Sequence, residues 1–156
     1  MYMLDTKEFI KYSQDVTDSL EFLTPLSDNY PGINIWFKTK VIIGLELGTR
    51  KLFIHRRSGK IVALGIAKKT ESEKKICTVR VAPEYVGKGL GVKIFKQAID
   101  WLETEQPHLT VSEDKLLDFE RIFDHFGFRL TSTINGLYQP GKVEYLFNEK
   151  KSFLGK

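Results

Sequence analysis

Gly87, Gly89 and Gly91 occupy every second position of a short loop. The apolar stretch Val79-Arg80-Val81 runs into this loop through Pro83, and an amphipathic run carrying Leu90, Ile94, Phe95, Ala98 and Leu102 follows it. A loop that opens a helix leaves backbone N–H groups without intrahelical partners and turns the positive end of the helix dipole toward the same point. Such a point is a seat for a phosphate or pyrophosphate. The glycines remove the Cβ atoms that would hold an anion away from the backbone. The chemistry implied is the holding of a phosphorylated cofactor by Gly87, Lys88, Gly89, Leu90, Gly91 and Val92, largely through main-chain groups.

Two common phosphate loops do not fit. A P-loop needs four residues between its first glycine and a Gly-Lys-Ser/Thr, and neither Gly87 nor Gly89 is followed by that sequence. The dinucleotide fingerprint needs G-x-G-x-x-G with an acidic residue roughly 20 positions on, whereas Gly87-x-Gly89-x-Gly91 is one residue too tight.

The segment resembles motif A of the GNAT superfamily, the acyl-CoA-dependent N-acyltransferases. Val79, Val81, Pro83, Tyr85, Gly89, Leu90 and Gly91 fall in register with that motif, while Val86 stands where the family has Arg or Gln. Phe123-Asp124-His125-Phe126-Gly127-Phe128 is similar to the Tyr-x-x-x-Gly-Phe helix exit of the same family. The resemblance covers about Lys51 to Phe147. It implies acetyl-CoA as co-substrate, with the backbone of Val79, Arg80 and Val81 pairing with the pantetheine arm as an added strand, and a backbone N–H near Val81 as oxyanion donor. The acceptor it implies is a primary amine on a protein, a small molecule or an aminoacyl-tRNA.

Side chains for proton transfer follow the resemblance less closely. The family's frequent tyrosine acid falls at Phe123 and its frequent asparagine at Leu116, and neither residue can donate a proton. A thiolate leaving group hardly needs an acid, free cysteine having a pKa of about 8.5; Tyr138 or Tyr145 from the final strands would be the substitute. Glu73, just before the cofactor strand, is the first candidate base and Glu113 the second. A solvated turn carboxylate is the plain alternative for both. His55 at a strand end and His125 on a helix surface read as structural; His108 and His125 have no metal-ligand spacing with a cysteine or carboxylate pair, and no metal is proposed.

These residues must be positioned by a particular succession of elements. The periodicity predicts a helix from Asp5 to Phe22 with a break near Asp15, a loop from Leu23 to Gly32, and a helix from Ile33 to Leu47. A three-stranded antiparallel meander follows: Lys51 to His55, Ile61 to Ala67 and Ile76 to Val81, with a turn at Arg57-Ser58-Gly59-Lys60. Then come a helix from Gly89 to Glu103 stopped by Pro107, a strand His108 to Val111, and a helix capped by Ser112 or Asp114 and ended by Gly127. The strands Phe128 to Thr133 and Val143 to Phe147 close the chain, with turns at Asn135-Gly136 and Gln139-Pro140-Gly141. This is the GNAT order, with Met1 to Leu4 as its first strand. The expected fold class is α/β (α+β), a mixed, mostly antiparallel central sheet of about six to seven strands flanked by about four helices.

Composition sets the outer bounds. The 156 residues suit one domain spanning 1–156, and 42% apolar with 28% charged residues is ordinary for a globular protein. No apolar run is long enough to span a bilayer, the N-terminus lacks the pattern of a signal peptide, and Cys77 is the lone cysteine, so the expected location is cytoplasmic. The net charge of +4 and pI near 9.1 favour acidic ligands. The basic clusters are short, so nucleic acid is only a third reading, after acetyl transfer to an amine and after a GNAT-fold CoA-binding or interaction module without strong catalysis. No membrane partner is expected, and a homodimer is compatible with the sequence.

Overall fold

The structure, a computed structural model, describes residues 5–28 and 30–150; the strand expected at Met1 to Leu4 lies outside them. Helix α1 spans Thr6–Leu23 and opens with a reciprocal cap, Asp5 accepting from the Glu8 N–H at 2.8 Å and Glu8 accepting from the Asp5 N–H at 3.4 Å. It is not broken near Asp15. Asp15 and Asp18 lie one turn apart and take the two ends of the Arg56 guanidinium at 2.8 and 3.0 Å, so the acidic pair ties the helix to the first strand. A 3₁₀ turn, Thr24–Asp28, leads toward α2, Ile33–Trp36. The single helix expected here is continuous, but Phe37–Val41 is π-helical before α3, Ile42–Leu47, which Gly48 ends at φ 77°.

The meander forms as expected: β1 Arg50–Arg57, β2 Lys60–Lys69 and β3 Lys74–Val81, in the order β1-β2-β3. After it come α4, Leu90–Leu102, and β4, Leu109–Ser112. Pro107 does not stop α4; Glu103 does, by turning left-handed at φ 55°. Helix α5, Leu116–Phe126, has Lys115 rather than Ser112 or Asp114 at its N-cap: the Ser112 hydroxyl accepts from the Asp114 N–H at 3.2 Å inside the turn, and the Asp114 carboxylate accepts from Lys142 Nζ at 3.1 Å. Gly127 ends α5 at φ 68°, and the Phe128 N–H reaches back to the Phe123 carbonyl at 2.9 Å. Phe128 is thereby used in the helix cap, so the next strand, β5, runs Leu130–Asn135 rather than starting at Phe128. The last strand, β6, is Val143–Phe147, and the second sheet has the order β4-β6-β5, again antiparallel. The result is the mixed, mostly antiparallel α/β architecture expected, with six strands among the described residues.

β2 is the spine of the core. Val62 through Ala67 are buried in succession, the pattern of a strand covered on both faces. Ala63 and Ala67 pack with Ile94, Phe95, Ala98 and Leu102 of α4. Leu64 and Ile66 face Leu23, Phe37 and Val41 from the N-terminal helices. No helix among the described residues is long and apolar enough to cross a membrane.

Gly65 sits where α4 presses closest on β2, and a Cβ there would overlap Ile94 Cγ2. Gly65→Ala is therefore expected to lower stability by about 1–3 kcal/mol. Because one overlap causes the loss, adding Ile94→Ala should cost less than the two single losses summed. Denaturant titration of the double-mutant cycle checks this; strict additivity would show that Gly65 is not there for clearance.

Candidate active site

The site begins with a separation of strands. β3 joins the second sheet through a single parallel bridge, Lys75 to His108, with the Ile76 N–H donating to the His108 carbonyl and the His108 N–H to the Lys74 carbonyl, both at 2.9 Å. On its other edge β3 stays paired with β2 as far as Val81. The register carries one extra residue, Cys77, between the pairs Ala67–Ile76 and Ile66–Thr78. This bulge resets the alternation. The Ala82 N–H donates toward β2, to Val62, so the alternation turns the N–H groups of Val79 and Val81 to the edge that β4 has left.

The glycine loop closes the far end of this edge. Pro83–Tyr85 makes a 3₁₀ turn, Gly87 and Gly89 both stand at φ 83°, and Gly89 caps α4 without any side-chain hydrogen bond. The space where a Cβ would sit on Gly87 or Gly89 is open for 4 Å. Gly91 differs: a Cβ there would lie 2.9 Å from Ile122 Cδ1, so its small size serves the packing of α4 against α5.

Between the parted strands lies a cavity of about 850 Å³. Among the residues singled out from the sequence, Glu73, Val79, Arg80, Val81, Gly87, Gly89, Gly91, Val92 and Tyr138 line it together. Lys88, Leu90 and Glu113 are not on its wall. The Lys88 ammonium lies 5.5 Å from the Tyr85 ring centre, Leu90 is buried in the core, and Glu113 accepts from the Val143 N–H at 2.8 Å, joining the β4–α5 turn to β6. Glu73 pairs with Lys68 at 2.9 Å, and that contact holds its carboxyl below the usual range. Arg80 donates to the Phe22 carbonyl at the end of α1 at 2.9 Å and stacks 4.3 Å over the Phe22 ring. Phe123, at the position of the family's frequent tyrosine acid, packs in a cluster of phenylalanines with Phe95, Phe119, Phe128 and Phe147.

Three features were not anticipated. Glu144, only 3% exposed, accepts from the Thr110 hydroxyl at 2.8 Å and the Tyr30 hydroxyl at 3.3 Å. Burial pushes its carboxyl up, against those hydrogen bonds and the charge of Lys75. Tyr30 and Thr110 line the cavity, and the Tyr30 ring meets Tyr138 edge-on at 5.4 Å. Burial, with the charge of Glu144, raises the Tyr30 phenol well above its ordinary value, so it is a neutral donor. The third feature is Arg50, on the same wall with Trp36 and Lys75. A lone carboxylate inside the apolar strand Val143–Phe147 was the one sequence signal for the first; pairings such as Tyr30 with Glu144 have no local signature.

The family model of the acetyltransferase (GNAT) domain matches residues 41–135. Among solved structures, a GNAT-family protein from Desulfovibrio desulfuricans superposes with a TM-score of 0.68 at 13% identity, over 86% of this chain and 90% of that one. The ribosomal-protein-S18-alanine N-acetyltransferase of Escherichia coli gives 0.58 at 19% identity, over 69% and 73%. A Bacillus subtilis acetyltransferase in complex with CoA gives 0.54 at 13% identity, over 72% and 85%. Among curated proteins, none matches the sequence. The chain belongs to the GNAT acetyltransferase family.

Glu144 makes a pH prediction. Its folded pKa is raised, so its carboxyl favours folding below the unfolded pKa and loses that advantage as pH rises through the folded value. Glu144→Gln retains an acceptor for Thr110 and carries no charge. The stability of the variant relative to the parent should therefore improve from pH 4 to pH 8, as read by thermal melting; a difference that does not vary with pH would remove the buried charge from the account.

Proposed function

We propose that this chain transfers an acetyl group from acetyl-CoA to a primary amine. The observation that carries the reading is the free edge of β3, with the Val79 and Val81 N–H groups turned toward the cavity, ending at a helix start that no side chain caps. An extended amide-bearing arm can pair with such an edge, and the exposed N–H groups around Gly87 and Gly89 suit a pyrophosphate. The open space over those two glycines supports the fit. Acetyl-CoA would supply the acyl group as an activated thioester.

The residues divide the remaining work. The Val79 or Val81 N–H donates to oxygen charge developing beside the free edge. An ammonium acceptor must lose a proton; Glu73 and Asp118 line the cavity and Glu144 stands behind it, Asp118 being exposed on the first turn of α5. Glu73 is engaged by Lys68 and held weakly basic. Glu144 is the stronger base because burial raises its pKa, and the Tyr30 hydroxyl links it to the cavity. We assign the proton to Glu144, with Tyr30 accepting from the amine as it passes its own proton inward. Tyr138, whose ring meets that of Tyr30 on the cavity wall, is the candidate donor to a departing thiolate. Glu113, held by the Val143 N–H, is given no part in the transfer.

The second reading, a CoA-binding module without turnover, is favoured by the burial of Phe123 among apolar rings where the family often has an acid. CoA-thiol release with an amine panel separates the two.

Calorimetric titration with acetyl-CoA should show micromolar binding, and Gly89→Gln should weaken it at least tenfold, since a side chain there would need a left-handed backbone and would fill the open face. Undiminished affinity in a folded variant would remove the loop from the donor site. Tyr30→Phe should lower kcat/KM by about 10²-fold and Glu73→Gln by less than threefold; the reverse order would make Glu73 the base.

A further inference from the structure

Arg50 is the first residue of β1, and its side chain is led into the cavity by features spread over three elements. On α3, Gly44 leaves a notch for the arginine stem: a Cβ there would lie 2.6 Å from Arg50 Cγ and 2.7 Å from Cδ. The guanidinium then passes 5.6 Å from the Trp36 ring of α2, and its Nη1 donates to the Cys77 sulfur of the β3 bulge at 3.3 Å. A neutral thiol is a weak acceptor, and burial keeps the Cys77 thiol protonated by pushing its pKa up. A guanidinium carries five N–H donors in a rigid fork. One is used here, on a poor partner.

The surrounding charge is unbalanced. Arg50, Lys68, Glu73 and Lys75 share this stretch of wall. Lys68 and Glu73 neutralise each other. Among the described residues, no ion pair includes Arg50 or Lys75, although the charge of Lys75 acts on Glu73 and Glu144. This region is also remote from the glycine loop. Arg50 binds at Cys77, four residues before Val81, which is roughly 13 Å of strand at about 3.3 Å per residue, and the loop lies beyond Val81. A pyrophosphate seated on the loop therefore cannot be the anion that satisfies the fork. An anion on the other substrate would fill that place.

We propose that Arg50, supported by Lys75, anchors an oxyanion carried by the acceptor, so that the acceptor is an amine bearing a carboxylate or a phosphate and not a polycation. The inference rests on the reading of this cavity as an acetyl-transfer site. Planar bidentate recognition is what the arginine fork provides and a lysine cannot. A polyamine would instead bring further positive charge against Arg50, which has no ion pair, and the neighbouring Lys75.

The experiment uses the intact chain, acetyl-CoA and matched amines, with CoA-thiol release as readout: β-alanine against β-alaninamide for a carboxylate, O-phosphoethanolamine against ethanolamine for a phosphate, and spermidine as the polycation. At least one anionic amine should exceed its neutral partner about tenfold or more in kcat/KM, and the pair that does so identifies the oxyanion. Arg50→Gln should shrink that ratio to within threefold, and Arg50→Lys, which keeps the charge without the fork, should fall between. Calorimetric affinity for acetyl-CoA shows that each variant is folded; if Arg50→Gln fails that check, Arg50→Lys and the comparison of amines on the parent chain decide the matter. Equal rates within both pairs, a preference for spermidine, or an unchanged ratio in Arg50→Gln would overturn the anchor and leave acetyl transfer standing. Absence of thiol release from all five amines, with acetyl-CoA still bound, would overturn both the anchor and the transfer reading. Absence of acetyl-CoA binding would remove the donor site itself.

Discussion

Two hydrogen bonds at the start of β3 determine the arrangement of the cavity side of this molecule. They join the two antiparallel sheets at His108, and beyond them the strands part. A strand edge left unpaired is a template for another extended chain, and burying its N–H groups without partners costs about 1–3 kcal/mol each. The edge can stay open because the parting of the strands makes room for solvent or ligand. The Cys77 bulge then decides which amides face that room. Without the extra residue, the alternation counted from Ile76 would turn the amides of Thr78 and Arg80, not those of Val79 and Val81, toward the cavity.

The surrounding elements keep that opening in place. Arg80 locks the end of β3 to the last turn of α1, and Arg56 locks α1 to β1 through Asp15 and Asp18. Glycine contributes by absence at three packed positions: Gly65 admits Ile94, Gly91 admits Ile122 and Gly44 admits Arg50. Gly87 and Gly89 are of another kind, since nothing lies over them and their need is for a left-handed backbone. One residue type thus performs two separate tasks, close packing beneath the site and exposed amides at its rim.

Much of the frame was legible in the chain. The meander, the glycine loop and the amphipathic α4 carry local signals of period and turn chemistry, and the element order follows from them. The sequence misleads where a side chain or an amide has a distant or competing partner. Asp15 reads as a helix breaker but is held by Arg56; Ser112 reads as a cap but spends its hydroxyl within its own turn; Phe128 reads as strand but gives its amide to the cap of α5. The candidate site divides in the same way. Its backbone half is written in consecutive residues, whereas Tyr30 and Glu144 meet across 114 positions and Arg50 reaches Cys77 across 27.

The π-helical segment between α2 and α3 has a consequence for how this chain tolerates insertion and deletion. Such a segment amounts to one residue more than an α-helix needs over the same length. Upstream of it, Trp36 faces the cavity; downstream, Gly44 opens the notch for Arg50. Removing one residue from Phe37–Val41 would let the wide turn close into a regular spiral while Trp36 and Gly44 keep the faces they present now. In a regular α-helix the same deletion would rotate everything after it by about 100° and carry Gly44 away from Arg50. The wide turn thus gives this stretch slack for the loss of one residue that leaves the cavity wall as it is.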